Sequence, residues 1–129
     1  MQNPAEIWHT VALSRHVDAI SAILHDDCVF ESPVVHTPQL GKAITAKYLA
    51  AAGHTLGNSD FEYVGEWHRE NSSVLEFKTV IDGIAINGVY MISCDDDGLI
   101  THFKVMVRPL KAVNMLHQKM GEMLQAMSK

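Results

Sequence analysis

The chain has little of what would tie it to nucleic acid, to a membrane or to an oxidising compartment. Ten Lys and Arg stand against fifteen Asp and Glu in 129 residues, a formal charge of −5. The basic residues form no stripe of the kind that phosphate binding needs, so no nucleic-acid partner is expected. No segment approaches eighteen uninterrupted apolar residues, which excludes a membrane-spanning helix. The N-terminal MQNPAEIWH lacks a basic region followed by an apolar run, so no signal peptide is expected. Cysteine is confined to Cys28 and Cys94, each within a strand-like run. Without a secretory context both read as reduced, half-buried small hydrophobes, and a cytoplasmic address is expected. His-x-His, HExxH and Cys-x-x-Cys spacings are absent, so no metal or other cofactor is expected. Asp95-Asp96-Asp97 fails as a calcium loop, because placing Gly98 sixth puts Ser93 first and Lys104 last.

What is present is a globular composition, 47% apolar and 19% charged, and enough length for one domain spanning 1–129 but not two. Asn3-Pro4 is a helix-start signal, a capping side chain followed by proline at the first helical position. Trp8, Val11, Ala12 and Arg15 then share a side. A second helical stretch from Asp18 turns Ile20, Ile23 and Leu24 inward, and His25-Asp26-Asp27 ends it. Cys28 to Ser32 reads as a short strand that Pro33 stops. Val34 to Leu40 reads as a loop. Gly41 to Ala52 is a helix with Ile44, Tyr48 and Ala51 inside and Gly53 as its stop.

From Asp60 the period becomes two. Phe61, Tyr63 and Trp67 share one face of the first run, and Leu75, Phe77, Thr79 and Ile81 share one face of the next. Tyr90, Ile92 and Cys94 follow on a third, and Phe103, Val105 and Val107 on a fourth. Arg69 to Ser72 and Asp95 to Gly98 fit hairpin turns, and Asp82-Gly83 fits a turn or a bulge. Residues 110–127 form a last amphipathic helix with Leu110, Val113, Leu116, Met120, Met123, Leu124 and Met127 on its apolar side. Its methionines suit either an adaptable cover over a ligand or a subunit interface. The order predicts an α+β fold, a curved antiparallel sheet, mixed at its short first strand, capped by N-terminal helices. The hollow under such a cap is where a small molecule would sit.

The run DDCVFESPV, the Gly-started helix GKAITAKYL, then LEFKTVIDG and DDDGLITHFKVMVRPL together resemble the nuclear-transport-factor-2-like superfamily, in its SnoaL-like and ketosteroid-isomerase-like branch. The resemblance runs from about Glu6 to Leu110. It implies a cone-shaped, cystatin-like α+β domain, a small hydrophobic ligand and often a homodimer formed through the outer face of the sheet. In the ketosteroid isomerases a carboxylate base and two hydrogen-bond donors act on the substrate. Laid on that pattern, the base position falls on Ser32, the tyrosine donor on Trp8 and the acid donor on Tyr90. A serine cannot take a proton near neutral pH, and an indole N–H donates one hydrogen bond without exchanging a proton. Tyr90 retains a hydroxyl.

The candidate catalytic pair is therefore Tyr90, as donor to a ligand oxygen, and His36, as the remaining base beyond the Ser-Pro turn. His54 is a second, weaker base candidate past a helix end. Trp8, Ser32, Tyr48, Tyr63, Trp67, Phe77, Ile92, Phe103, Val105 and Val107 are expected to shape the pocket. Glu31 is expected to face away from it or to pair with a nearby Lys, one step along a strand from Ser32. Two functions fit: a cofactor-free isomerase, cyclase or dehydratase, or a non-catalytic ligand-binding or protein-interaction domain of the same fold.

Overall fold

A computed structural model describes residues 3–12 and 16–127. Helix α1 (Pro4–His9) opens as the sequence predicts: the Asn3 side chain accepts a hydrogen bond from the Glu6 backbone N–H at 2.9 Å, which satisfies one of the donors a helix start leaves open. Arg15, expected on the same side as Trp8, lies outside the described residues. Helix α2 (Val17–Ser21) is only five residues long and buries Ile20.

Strand β1 (Leu24–Glu31) begins earlier than expected. His25-Asp26-Asp27 belongs to the strand because its register against the neighbouring strand shifts between Leu24 and Val29. This irregular stretch leaves Asp26 and Asp27 exposed, so the polar residues are accommodated rather than ending an element. A two-residue strand β2 (Gln39–Leu40) lies within the expected loop. Helix α3 (Lys42–Leu56) runs through Gly53, which is buried in its last turns, and stops at Gly57, whose N–H bonds the Gly53 carbonyl at 3.0 Å. Gly53 is an interior residue of the helix and does not terminate it.

The four remaining strands are β3 (Glu62–Arg69), β4 (Ser72–Ile81), β5 (Ile84–Cys94) and β6 (Ile100–Arg108). With β1 and β2 they form one six-stranded sheet in the order β2-β1-β6-β5-β4-β3, antiparallel except where β1 runs parallel to β6. The sheet is curved but not closed into a barrel. Asp82 and Gly83 both have positive φ, 52° and 77°, and join β4 to β5 as a tight two-residue turn. Registers Leu75↔Tyr90, Tyr90↔Val105 and Ile92↔Phe103 place those side chains on one inner face. The α helices pack on that face, and Phe77, Phe103, Leu75, Ile20 and Leu24 are sealed from solvent between the layers.

Helix α4 (Leu110–Met127) matches its predicted span. Leu110, however, is 74% exposed, while Ala112 and Leu116 form the buried seam. Two residues at 100° per residue put Leu110 nearly opposite Ala112, so the first residue of the helix cannot share the side that Ala112 and Leu116 occupy. Among the described residues no helix is long and apolar enough to cross a membrane.

Gly88 lies on the inner face where β4 and β6 flank β5. A Cβ there would meet Phe77 Cζ at 2.5 Å and the Met106 carbonyl oxygen at 2.8 Å. The backbone oxygen belongs to a paired strand and has little room to retreat. Gly88→Ala is expected to destabilise the protein by about 1–3 kcal/mol, the cost typical of overpacking, read as a lowered urea midpoint at unchanged m-value. An unchanged midpoint would mean that the inner face is loosely packed there.

Candidate functional site

Between the inner face of the sheet and the helices lies a cavity of about 60 Å³. Six of the residues expected in its wall are there: Trp8 from α1, Ser32 just past β1, Tyr48 from α3, Tyr90 from β5, and Val105 and Val107 from β6. Leu49, Ala52 and Gly53 of α3 add to the wall, and Leu116 and Met120 of α4 close it. The C-terminal helix is thus a cover, a role its methionine content left open beside an interface. Tyr63, Phe77, Ile92 and Phe103 do not reach the cavity; Phe77, Ile92 and Phe103 are buried in the core around it.

Trp67 departs furthest from expectation. It is 58% exposed on the outer face, although in sequence it is an even number of residues from inward-facing Tyr63. The cause is a bulge between Tyr63 and Gly65: Tyr63 pairs with Phe77, but Gly65 pairs with Glu76 and Trp67 with Val74. One extra residue reverses every later side chain of β3. Its indole then covers Gly65, where a Cβ would meet Trp67 Cη2 at 2.6 Å. A glycine inside an alternating run is the signal that could have marked this bulge.

The same reversal turns Glu66 and His68 inward, where they meet α1. Glu66 accepts from His9 Nε2 at 2.8 Å and from His68 Nε2 at 2.9 Å, and His68 Nδ1 lies 2.8 Å from the hydroxyl of buried Ser73. The Glu66 carboxylate accepts from both rings, and His68 Nδ1 and the Ser73 hydroxyl share a hydrogen bond. The hydrogen bond from His9, helped by that from His68, holds the Glu66 carboxyl below the usual carboxylate range. The cluster clasps α1, and with it Trp8, to the edge of the sheet. It was invisible without the bulge.

Trp8 is 3% exposed. Its indole N–H donates to the Tyr63 hydroxyl at 3.1 Å, and its ring stands edge-on to Phe103 and Tyr90 at centroid distances of 4.8 and 6.0 Å. Burial pushes the Tyr63 phenol up to about 12. Burial, and then the neighbouring Tyr63, drive Tyr90 higher still. Both phenols therefore stay protonated in water near neutral pH and act as hydrogen-bonding groups rather than as bases. Ser32 Oγ accepts the Val34 N–H at 3.1 Å, shaping the turn around Pro33.

His36 lies outside the cavity, exposed in the loop between β1 and β2. His54 is an exposed residue inside α3, not beyond its end. Glu31 faces the outer side, hydrogen-bonded to His102 Nε2 with Lys104 Nζ at 3.7 Å. Those partners, His102 first, lower its pKa. Among the described residues no Asp, Glu, His, Lys or Arg lines the cavity. The site can exclude water, pack an apolar body and offer hydroxyl groups, but among the described residues it holds no side chain poised to abstract a proton from carbon.

The clasp has a pH signature. Because the folded pKa of Glu66 lies below its unfolded value, its contribution to stability is present above the ordinary glutamate range and is lost as pH falls through the lowered pKa. Glu66→Gln removes that titration. Between neutral pH and about pH 3 the variant should therefore lose less thermal stability than the unmodified chain. Parallel pH profiles of the two proteins would show that the carboxylate does not hold α1.

No protein-family model and no curated protein sequence matches the chain. Solved structures do. A steroid delta-isomerase from Pseudomonas aeruginosa is 33% identical, with 98% of this chain and 94% of that chain covered and a TM-score of 0.87. An uncharacterised protein with a cystatin-like fold from Silicibacter pomeroyi is 26% identical, covering 95% and 85%, with a TM-score of 0.85. An NTF2-like protein of unknown function from Mesorhizobium loti, 17% identical over 82% and 91% with a TM-score of 0.68, shares the fold alone. With a third of its residues shared over nearly the whole length of both chains, and with the curved sheet and helical cap in common, this chain belongs to the nuclear-transport-factor-2-like superfamily, in its SnoaL-like, ketosteroid-isomerase-like branch.

Proposed function

We propose that the chain is a small-molecule pocket protein that holds a hydrophobic, oxygen-bearing ligand in the cavity under α3 and α4 without transferring a proton. The observation that carries this reading is the wall itself: apolar side chains with Tyr48, Tyr90 and Ser32 and, among the described residues, no ionisable group other than phenols. On the ketosteroid-isomerase pattern Ser32 would stand at the carboxylate-base position, and its oxygen accepts the Val34 N–H. On the same pattern Trp8 would stand at a donor position, and its N–H donates to Tyr63. Tyr90 is the hydroxyl proposed to meet a ligand oxygen. The similarity to a steroid delta-isomerase supports a flat, mostly apolar ligand class such as a steroid.

A cavity of about 60 Å³ is well under the roughly 300–1,000 Å³ of small-molecule pockets, so ligand entry has to displace part of the wall. Met120 and Leu116 are the side chains suited to this, being flexible and carried by the covering helix. Trp8 reports the event. In a Trp67→Phe background it is the sole tryptophan, and a Δ5-3-ketosteroid is expected to change its emission saturably without forming the conjugated ketone. Adding Tyr90→Phe should weaken that binding about fivefold, the value of one ordinary hydrogen bond. Turnover of the steroid would establish an isomerase instead, and no response to any apolar probe would leave the protein-interaction reading.

The assembly proposed is a homodimer formed through the outer face of β3 and β4. Trp67 at 58% exposure and Val64 at 43% lie on this part of the sheet, and they form the kind of apolar patch that marks a contact. Sedimentation is expected to give a two-chain particle for the unmodified protein and a single chain for Trp67→Glu. A monomer at micromolar concentration without any substitution would remove the dimer.

A further inference from the structure

Strand β1 stops at Glu31, opposite Lys104, whereas β6 continues to Arg108 with β5 on its other side. Among the described residues β6 has no strand on its β1 side from Val105 onward, so the sheet has a short free edge there. Val105 and Val107 point from that edge into the cavity, and Lys104 and Met106 point to the outer face. A groove of about 520 Å³ runs along the outer side, and its wall shares Ser32, Pro33, Val34, Val105 and Val107 with the cavity. The two spaces therefore abut round the end of β1.

Their chemistry is opposite. Among the described residues the cavity wall has no charged side chain, and placing a charge there would carry a large desolvation cost. The groove holds Lys104, Glu31 and His36. Glu31 already accepts from His102 and lies 3.7 Å from Lys104. An ammonium has three N–H donors and Glu31 engages at most one, so Lys104 has donors to spare. His36, exposed in the loop bordering the same groove, adds a second donor. Among the described residues Lys104 is the one Lys or Arg in the walls of the two spaces.

We infer that the ligand is amphipathic, with an apolar body in the cavity and a carboxylate head that turns round the free edge of β6 to lie against Lys104 and His36. This inference rests on the pocket reading above and adds the class of molecule. The groove is fitted to an acceptor-rich head because its cation has unused donors while its one carboxylate is partnered. Proton transfer plays no part: the head binds ionised and stays so.

Decanoate and its methyl ester, below their aggregation limits and followed by Trp8 emission in the Trp67→Phe background, separate the two levels of the argument. Decanoate is expected to bind about tenfold more tightly than the ester, the gain typical of a charge-assisted hydrogen bond. Lys104→Met should bring the two within about twofold by weakening decanoate alone, and Lys104→Arg should restore the preference. Equal binding of acid and ester to the unmodified chain would overturn the carboxylate assignment and leave the pocket standing. Binding of neither while the steroid still binds would overturn this inference alone, and binding of none of the three would overturn the pocket reading with it. If Lys104→Met fails to fold, raised salt on the unmodified chain decides: a preference that does not shrink counts against the inference.

Discussion

The single N–H of Trp8 and the hydroxyl it meets on Tyr63 set the interior of this protein. An indole as large as this one, placed at the narrow end of the curved sheet, must both fill the space and satisfy its donor, because an unpaired N–H out of water is expensive. Tyr63 meets that need from the edge strand. The pair then positions the ring against Phe103 and Tyr90, and what remains open is the 60 Å³ between Tyr90, Tyr48, the ends of β1 and β6 and the covering helix.

Three local irregularities prepare that arrangement. The bulge at Tyr63 and Gly65 keeps Tyr63 inside while sending Trp67 out and bringing Glu66 and His68 in to hold α1 by His9. The early end of β1 leaves an edge of β6 free, so that cavity and outer groove meet. Gly53, carried within α3 instead of ending it, gives the cavity one side without bulk. Lys119 pairs with Asp82 at 2.9 Å and ties the middle of α4 to the β4–β5 turn, one residue from Met120 in the cavity wall. A cover fastened by an exposed ion pair and a few thioether and aliphatic contacts is among the less firmly held parts of such a fold.

Much of the architecture was legible because it rests on short-range rules. The Asn3-Pro4 helix start, the strand alternation of β4, β5 and β6, the Asp-Gly turns and the span of α4 all follow from capping, pleat and turn chemistry within a few residues of each other. The inward register of Tyr90, Phe103 and Val105 follows from alternation alone, and so does the outward register of Glu31 and His102. Legibility failed where a long-range partner overrides a local preference. His25-Asp26-Asp27 looks like a break until β6 is beside it, and Gly53 looks like a stop until the cavity is seen to need it.

The sequence by itself determined the α+β class, the order of the main elements and the face that each regular strand buries. Only the tertiary structure decided which aromatics reach the cavity, that His36 stands outside it, that Trp67 faces outward and that α4 closes the hollow. The physical reason is that alternation and helical period specify a direction relative to the chain's own axis. Whether that direction ends in a cavity, a packed core or solvent depends on bulges, strand ends and covering elements contributed by residues far away along the chain.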